Sequence, residues 1–467
     1  MQLTDRFGKC ESMLKSGQQV GALPPVKEVY KTVFDMAWPA ILEMVLVSLI
    51  ASVDTMMVGA VGVDAIAAVG ITTQPKFILQ AFVLSLNTGV TAIVSRRKGQ
   101  EDRLGANSCL SQAFMISLIA SAVISLFGFM FARPILHIAG AENDIIDDAA
   151  GYFRIITVGL FFFNLSLTIN AAQRGIGNTK ISMRTNILAN VVNLVFNYLL
   201  IGGNFGFPRL GVRGAAIATM LGNIVAFFIS LHSVTGKNGF LHIKLKALCR
   251  FDKKTLLSLT DISSSVLVEQ LFLRFGFFSS AIVVAKLGTM AFSIHQICAS
   301  ILDLSTAFGN GLTIASTALV GQSLGKNRPD MAIIYGKATQ RFAMVISIGL
   351  FLLFTFGKNL LVGLYTDDRA VMEAATSVMV LAALITYVQS SNMVMTGSLR
   401  GAGDTKFVTL LSICGIGIFR PVMAYVLAIM CGLGLIGVWI VMFLDCGGRM
   451  VIAKIRFSRG KWTKRVI

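Results

Sequence analysis

Arg174-Gly175-Ile176-Gly177-Asn178-Thr179-Lys180 and Arg400-Gly401-Ala402-Gly403-Asp404-Thr405-Lys406 are two copies of one segment, identical at five of seven positions. They lie 226 residues apart, and the same offset aligns much else. Asp35 matches Asp261, Glu43 matches Glu269, and Gly62 and Ala65 match Gly288 and Ala291. Gly99 matches Gly325, and Gly211-Val212 match Gly437-Val438. One register serving all of these positions, several of them charged, marks an internal duplication of nearly the whole chain.

The duplicated material is apolar. Of 467 residues, 55% are hydrophobic and 14% charged, and the mean hydropathy is +0.75. A soluble protein of this length needs far more charge to cover its surface. Apolar runs long enough to cross a bilayer, about 20 residues each, fall near 36–58, 72–95, 107–131, 150–172, 181–203, 213–235, 256–285, 292–323, 338–357, 372–397, 405–430 and 434–454. The expected fold is an all-α membrane protein of twelve transmembrane helices, arranged as two six-helix bundles. Six helices return each half to the side where it began, so the halves share orientation and a pseudo-two-fold along the membrane normal relates them. The expected organisation is a cytoplasmic tail (1–32), a first lobe (33–235), a basic cytoplasmic linker (236–255), a second lobe (256–454) and a basic cytoplasmic tail (455–467).

The formal net charge of +18 would suggest nucleic acid in a soluble protein, but its distribution argues otherwise. Roughly 31 basic residues gather in the two tails, the linker and alternate loops, against about six in the opposite loops. Acids gather opposite: Glu142, Asp144, Asp147, Asp148, Asp367 and Asp368. The positive-inside rule then places both termini in the cytoplasm of a multi-pass plasma-membrane protein, with no nucleic-acid partner. The first 35 residues lack an apolar stretch, so no cleavable signal peptide is expected. The seven cysteines are scattered with no CxxC, which suits apolar filler and implies no metal site.

Ionisable residues inside spans are costly and mark function by default. Those considered are Glu43, Asp54, Arg154, Glu269, Arg274, Asp303, Arg420 and Asp445. Asp54 leads, because a carboxylate in a poorly solvated cavity loads and releases a proton near neutral pH, or binds Na⁺ with neighbouring carbonyls and amides. Its mate in the repeat is Ser280, so such a site exists in one half only. Glu43 lies eleven residues before Asp54, nearly on the same helix face and about 16 Å away. Glu43 and its mate Glu269 face each other across the pseudo-axis if both point inward. Asn193 and Asn197 sit at i and i+4 on the fifth span, where their amides line a cavity or join helices. Glu43, Asn164, Asn170 and Asp303 are candidates to line a substrate cavity. Arg274, Asp303, Arg420 and Asp445 suggest internal ion pairs, and Arg420-Pro421 suggests a kink.

The Arg-Gly-x-Gly segments lack the P-loop pattern and read as tight turns between helices. Gly401-Ala402-Gly403-Asp404 also has the GxGD form of intramembrane aspartyl proteases, but Asp404 has no convincing second aspartate. An enzyme is not expected, and a channel does not suit a duplicated twelve-span chain.

Four further segments act together: V-D-T-M-M-V-G-A-V-G-V-D-A-I-A-A-V-G at 53–70, A-S-T-A-L-V-G-Q-S-L-G-K at 315–326, L-R-G-A-G-D-T-K at 399–406 and G-L-I-G-V-W-I at 434–440. With them the chain resembles the multidrug and toxic compound extrusion (MATE) family over about 30–460. The resemblance implies an antiporter that exports organic, often cationic, compounds in exchange for H⁺ or Na⁺. It needs no cofactor, and its partners are the small organic substrate, the coupling cation and membrane lipids, without an obligate protein partner. It implies cation coupling at Asp54 and Glu269, with Asn193 and Asn197 as the polar pair of the fifth helix. Some members carry Asp where this chain has Asn197. The acid that the Na⁺-coupled branch carries on its tenth helix does not occur within 378–397. The runner-up is a flippase of lipid-linked precursors, a related fold.

Overall fold

A computed structural model describes residues 10–142, 144–236, 239–243, 252–366 and 368–465. Lys237, Lys244, Lys246 and Arg250 of the linker, Cys249, Asp367 and Arg6 and Lys9 of the first tail lie outside the described residues. Among the described residues, twelve helices are long and apolar enough to cross a membrane. The first six are α1 (Val26–Gly59), α2 (Val63–Gly99), α3 (Arg103–Met130), α4 (Ile146–Gly175), α5 (Thr179–Gly202) and α6 (Gly211–Thr235). The second six are α7 (Lys253–Ala285), α8 (Thr289–Gly325), α9 (Pro329–Phe356), α10 (Arg369–Gly401), α11 (Thr405–Met430) and α12 (Gly434–Ser458). Each expected span has its helix. Several helices begin well before the apolar window, because their polar first turns are helical without being hydrophobic.

The repeat is visible residue by residue. Both ends of α2 and of α3 recur 226 residues later as the ends of α8 and α9. The turns recur as well. Gly177 and Gly403 both adopt left-handed backbone (φ 88° and 83°), which glycine tolerates and which closes the α4–α5 and α10–α11 turns. The lipid-side face of α3, with Ile119, Leu126, Phe127 and Met130 exposed, returns on α9 as Val345, Leu352, Leu353 and Phe356. Exposed apolar rows on helices whose backbone groups are all bonded internally are what a bilayer requires.

The chain divides into two compact units, Val45–Leu267 and Met1–Met44 with Val268–Ile467. The division falls inside α1 and α7. The early turns of α1 explain this: Val29 and Val33 are buried with Leu319, Ile334 and Ala338 of α8 and α9, and Ala37 with Leu312 and Ala315. Conversely, Leu259, Ile262 and Ser263 of α7 lie against Gly89 of α2. Asp252 caps the start of α7, accepting from the Thr255 hydroxyl at 2.6 Å and the Lys254 amide at 3.1 Å. The bond from Thr255, with the backbone bonds, holds its carboxyl below the usual range.

Within each unit one helix is the hub. In the first, α4 packs against α2, α3 and α6; in the second, α10 packs against α8, α9 and α12. The hub contact is close and duplicated. Thr91 of α2 donates its hydroxyl to the Ala171 carbonyl at 3.1 Å, and Thr317 of α8 donates to the Gly397 carbonyl at 2.9 Å. Small residues permit the approach, as they do between membrane helices generally. A Cβ on Gly175 would lie 3.0 Å from the Thr91 carbonyl oxygen, and one on Gly401 would lie 2.2 Å from the Thr317 carbonyl oxygen. Gly401→Ala is therefore expected to cost about 1–3 kcal/mol through forced backbone shifts, and Gly175→Ala distinctly less. Thermal melting of the purified protein in detergent checks the order; equal melting temperatures would refute the close crossing at Gly401.

Candidate functional site

Asp54 lies in the last two turns of α1, half-buried. Val58, one turn on, packs with Ala65, Ile201, Val212 and Ala215, and the partly buried Tyr152 of α4 joins them. This contact holds the end of α1 against α5 and α6, and it sets the direction in which Asp54 points. Asn193 and Asn197, one turn apart on α5, are both buried and both face it. Asn197 donates its amide nitrogen to Asp54 Oδ1 at 2.6 Å. Asn193, oriented with its nitrogen toward Asp54, donates to Oδ1 at 2.9 Å and to Oδ2 at 3.2 Å. In that orientation its oxygen accepts from the backbone nitrogen and the hydroxyl of Thr219 on α6, both at 3.2 Å. The Thr219 partners fix the amide orientation, since the reverse would set oxygen against carboxylate. Asp54, Asn193 and Asn197 thus form one constellation, as the helical spacing anticipates.

Three members were not singled out by the sequence. Thr219 orients Asn193. Tyr152 and Lys76, from α4 and α2, lie close enough to interact electrostatically with Asp54. Lys76 was the most findable: a lysine after Pro75 in the apolar stretch of α2 is the kind of intramembrane charge that marks function.

Asn170 and Asn164 sit deeper in the same unit. Asn170 Oδ1 accepts from Ser230 at 3.2 Å, and Ser230 in turn meets Ser166 at 2.8 Å, a hydroxyl chain that joins α4 to α6. Asn164 is fully buried, and among the described residues neither of its amide atoms has a partner. Its backbone carbonyl accepts from Ser117 at 3.4 Å and Thr168 at 3.0 Å.

The second unit is organised differently. Glu43 and Glu269 are both buried. Glu269 is engaged by Arg400 Nη2 at 2.6 Å and by the Ser412 hydroxyl at 2.7 Å. Arg400 belongs to the tight turn, yet its side chain reaches back to α7. Asp303 stands exposed on α8, and Arg274 is half-buried on α7. Arg420 and Asp445 do pair, at 2.7 Å, and Arg449 joins them at 2.9 Å. Arg420 and Asp445 are buried, and the Arg449 side chain is 11% exposed. Arg449, near the basic end of α12, belongs to this interior cluster. Two π-helical turns, Ile413–Phe419 and Val426–Met430, flank the Arg420–Tyr425 segment of α11. Pro421 has no N–H to give, and the widened turns accommodate that loss while aiming Arg420 inward. Gly415 in the first of these turns lies against Asp445: a Cβ there would sit 2.4 Å from Oδ1.

Asp404 is also buried and locked, by Arg456 at 2.8 Å and Arg465 at 3.2 Å. A carboxylate held by two guanidinium groups is a strut of the α10–α11 turn and not a free proteolytic aspartate.

Comparison with known proteins gives this geometry its context. The chain is 27% identical over 441 residues to the "Uncharacterized transporter YisQ" of Bacillus subtilis, covering 93% of this chain and 95% of that protein. It is 25% identical over 444 residues to the "Probable multidrug resistance protein NorM" of Thermotoga maritima, covering 95% of each. Among solved structures, one described as the outward-facing conformation of a multidrug resistance MATE family transporter of the MOP superfamily matches with a TM-score of 0.86. That match has 19% identity, over 95% of this chain and 100% of the other. The model of the MatE family matches twice, over residues 39–199 and 266–426, once in each half. The protein belongs to the MatE family: it is a multi-pass membrane transporter, and not an enzyme.

Proposed function

We propose that this transporter exports organic, chiefly cationic compounds from the cytoplasm in exchange for protons, by alternating access. Both of its termini are cytoplasmic and its location is the plasma membrane. The Asp54 clasp carries this reading. Two amide donors address the charge of this half-buried carboxylate, and protonation would remove that charge. Neutral and charged Asp54 would then favour different packing of α1 against α5. A substrate that favours the opposite packing completes an exchange cycle, because coupling requires only that each ligand distinguish the two states.

The clasp also supports H⁺ over Na⁺. Hard cations take oxygen ligands, whereas both asparagines turn nitrogen toward Asp54. In the other unit, Glu269 already has a guanidinium as its counter-ion, so we assign it a structural part. The NorM relatives, named as probable multidrug resistance proteins, support a broad organic substrate range. The carboxylate at the centre of the site suits a cationic compound better than the phosphates of a lipid-linked precursor.

Proteoliposomes test the proposal. Ethidium transport is expected under an imposed pH gradient and not under an imposed Na⁺ gradient. Transport driven by Na⁺ alone would reverse the ion assignment; no ethidium movement under either gradient would remove cationic compounds as the substrate class.

A further inference from the structure

A second charged site lies on another face of α4, along its first turns. The short helix Ala132–Ile138 and the first turns of α4 and α6 enclose a cavity of about 330 Å³. Three guanidinium groups line it, from Arg133, Arg154 and Arg213, with one carboxylate, Asp147. Arg133 and Asp147 pair at 2.8 Å. Among the described residues, Arg154 and Arg213 have no carboxylate within ion-pair distance. The cavity therefore carries two uncompensated positive charges. Gly151 makes the space: a Cβ there would lie 3.0 Å from Arg213 Nε. Asp147, Gly151 and Arg154 run i, i+4, i+7 along one stripe of α4. Tyr152, which interacts with Asp54, stands off that stripe, so the two sites use different faces of the helix.

The surroundings are apolar. The Arg154 guanidinium stands 6.0 Å from the centroid of the Phe129 ring. Phe129 is exposed, as are Met130 and Phe131, which follow it in the chain, and Ile138 at the end of the short helix that carries Arg133. Two unpaired guanidinium groups ask for an oxyanion, and planar guanidinium matches phosphate in bidentate fashion. An exposed apolar rim at the end of membrane helices asks for a ligand with hydrocarbon attached. From these two features together we infer that the cavity binds the phosphate headgroup of an anionic phospholipid, with its acyl chains lying along the exposed rim. This inference is independent of the transport reading, since it needs neither Asp54 nor a substrate.

The experiment is lipid titration of the purified full chain in detergent, read by native mass spectrometry and by melting temperature. Phosphatidylglycerol is expected to bind at least tenfold more tightly than phosphatidylcholine and to raise the melting temperature. Inorganic phosphate at the same concentration is expected to do neither. The Arg154→Gln/Arg213→Gln variant is expected to lose the phosphatidylglycerol preference while melting like wild type in phosphatidylcholine. Equal binding of the two lipids by wild-type protein overturns the proposal whether or not the variant folds. Stabilisation by inorganic phosphate equal to that by phosphatidylglycerol would make the site one for free anions and overturn the lipid assignment. A variant that keeps the full preference would move the lipid elsewhere.

Discussion

Asp54→Asn is expected to reduce proton-driven efflux to the background of cells lacking the protein, at equal expression, while substrate binding and thermal stability stay near wild type. The substituted amide keeps the shape of the carboxylate and can still meet the Asn197 nitrogen, 2.6 Å away in the native clasp, through its oxygen. What it loses is the change of charge. A group that never ionises presents one state to Asn193 and Asn197 whatever the pH, so the gradient has nothing to act upon. The result to look for is a split, with binding of a fluorescent cation to purified protein retained and transport lost. Removing one donor should do less. Asn197→Ala forfeits one hydrogen bond to a charged group, worth about 1.5–3 kcal/mol, but leaves Asn193 and its Thr219 support in place. Unimpaired efflux by Asp54→Asn would take this residue out of the mechanism and return attention to Glu269.

Asp445→Asn is expected to have the opposite signature, a large loss of stability. Its carboxylate receives two bonds from Arg420, at 2.7 and 3.1 Å, and two from Arg449, both at 2.9 Å. With the negative charge gone, two guanidinium groups remain buried beside each other without compensation. Breaking a buried pair in this way costs about 3–5 kcal/mol. Replacing all three with apolar residues of similar volume should recover most of that loss, because the cost lies in the stranded charges and not in the absence of the pair. Melting of Asp445→Asn and of the triple replacement Arg420→Met/Asp445→Leu/Arg449→Met separates the two. A single variant that melts like wild type would mean that water reaches the cluster.

Much of this architecture was legible in the sequence. Hydropathy located all twelve spans, and a 226-residue register gave the duplication before any helix was seen. Asp54, Asn193 and Asn197 were legible for a physical reason: charge inside a span is expensive, and i, i+4 spacing puts two amides on one face. The second unit was harder to read. Charge counting sorts arginines by their position near a span's end, but a long side chain can turn inward from there. Arg400 reaches Glu269 from the edge of a turn, and Arg449 reaches Asp445 from within a helix whose last turns are basic. Their direction depends on the neighbouring helix, which one chain segment does not encode. The widened turns of α11 were likewise foreshadowed only by Arg420-Pro421, with nothing to say that the helix would expand on either side of that pair.

The duplication register connects the two polar clusters in one more way. Thr219, which steadies the clasp around Asp54, and Asp445, the centre of the arginine cluster, are equivalent positions of the two halves. Asn193 and Asn197 correspond to Phe419 and Met423, and Asn223 corresponds to Arg449. Equivalent positions of the two halves therefore carry different chemistry: a carboxylate met by amides in one copy, and a carboxylate cancelled by two guanidinium groups in the other. A doubled gene gave the protein a spare, and the spare became a rivet.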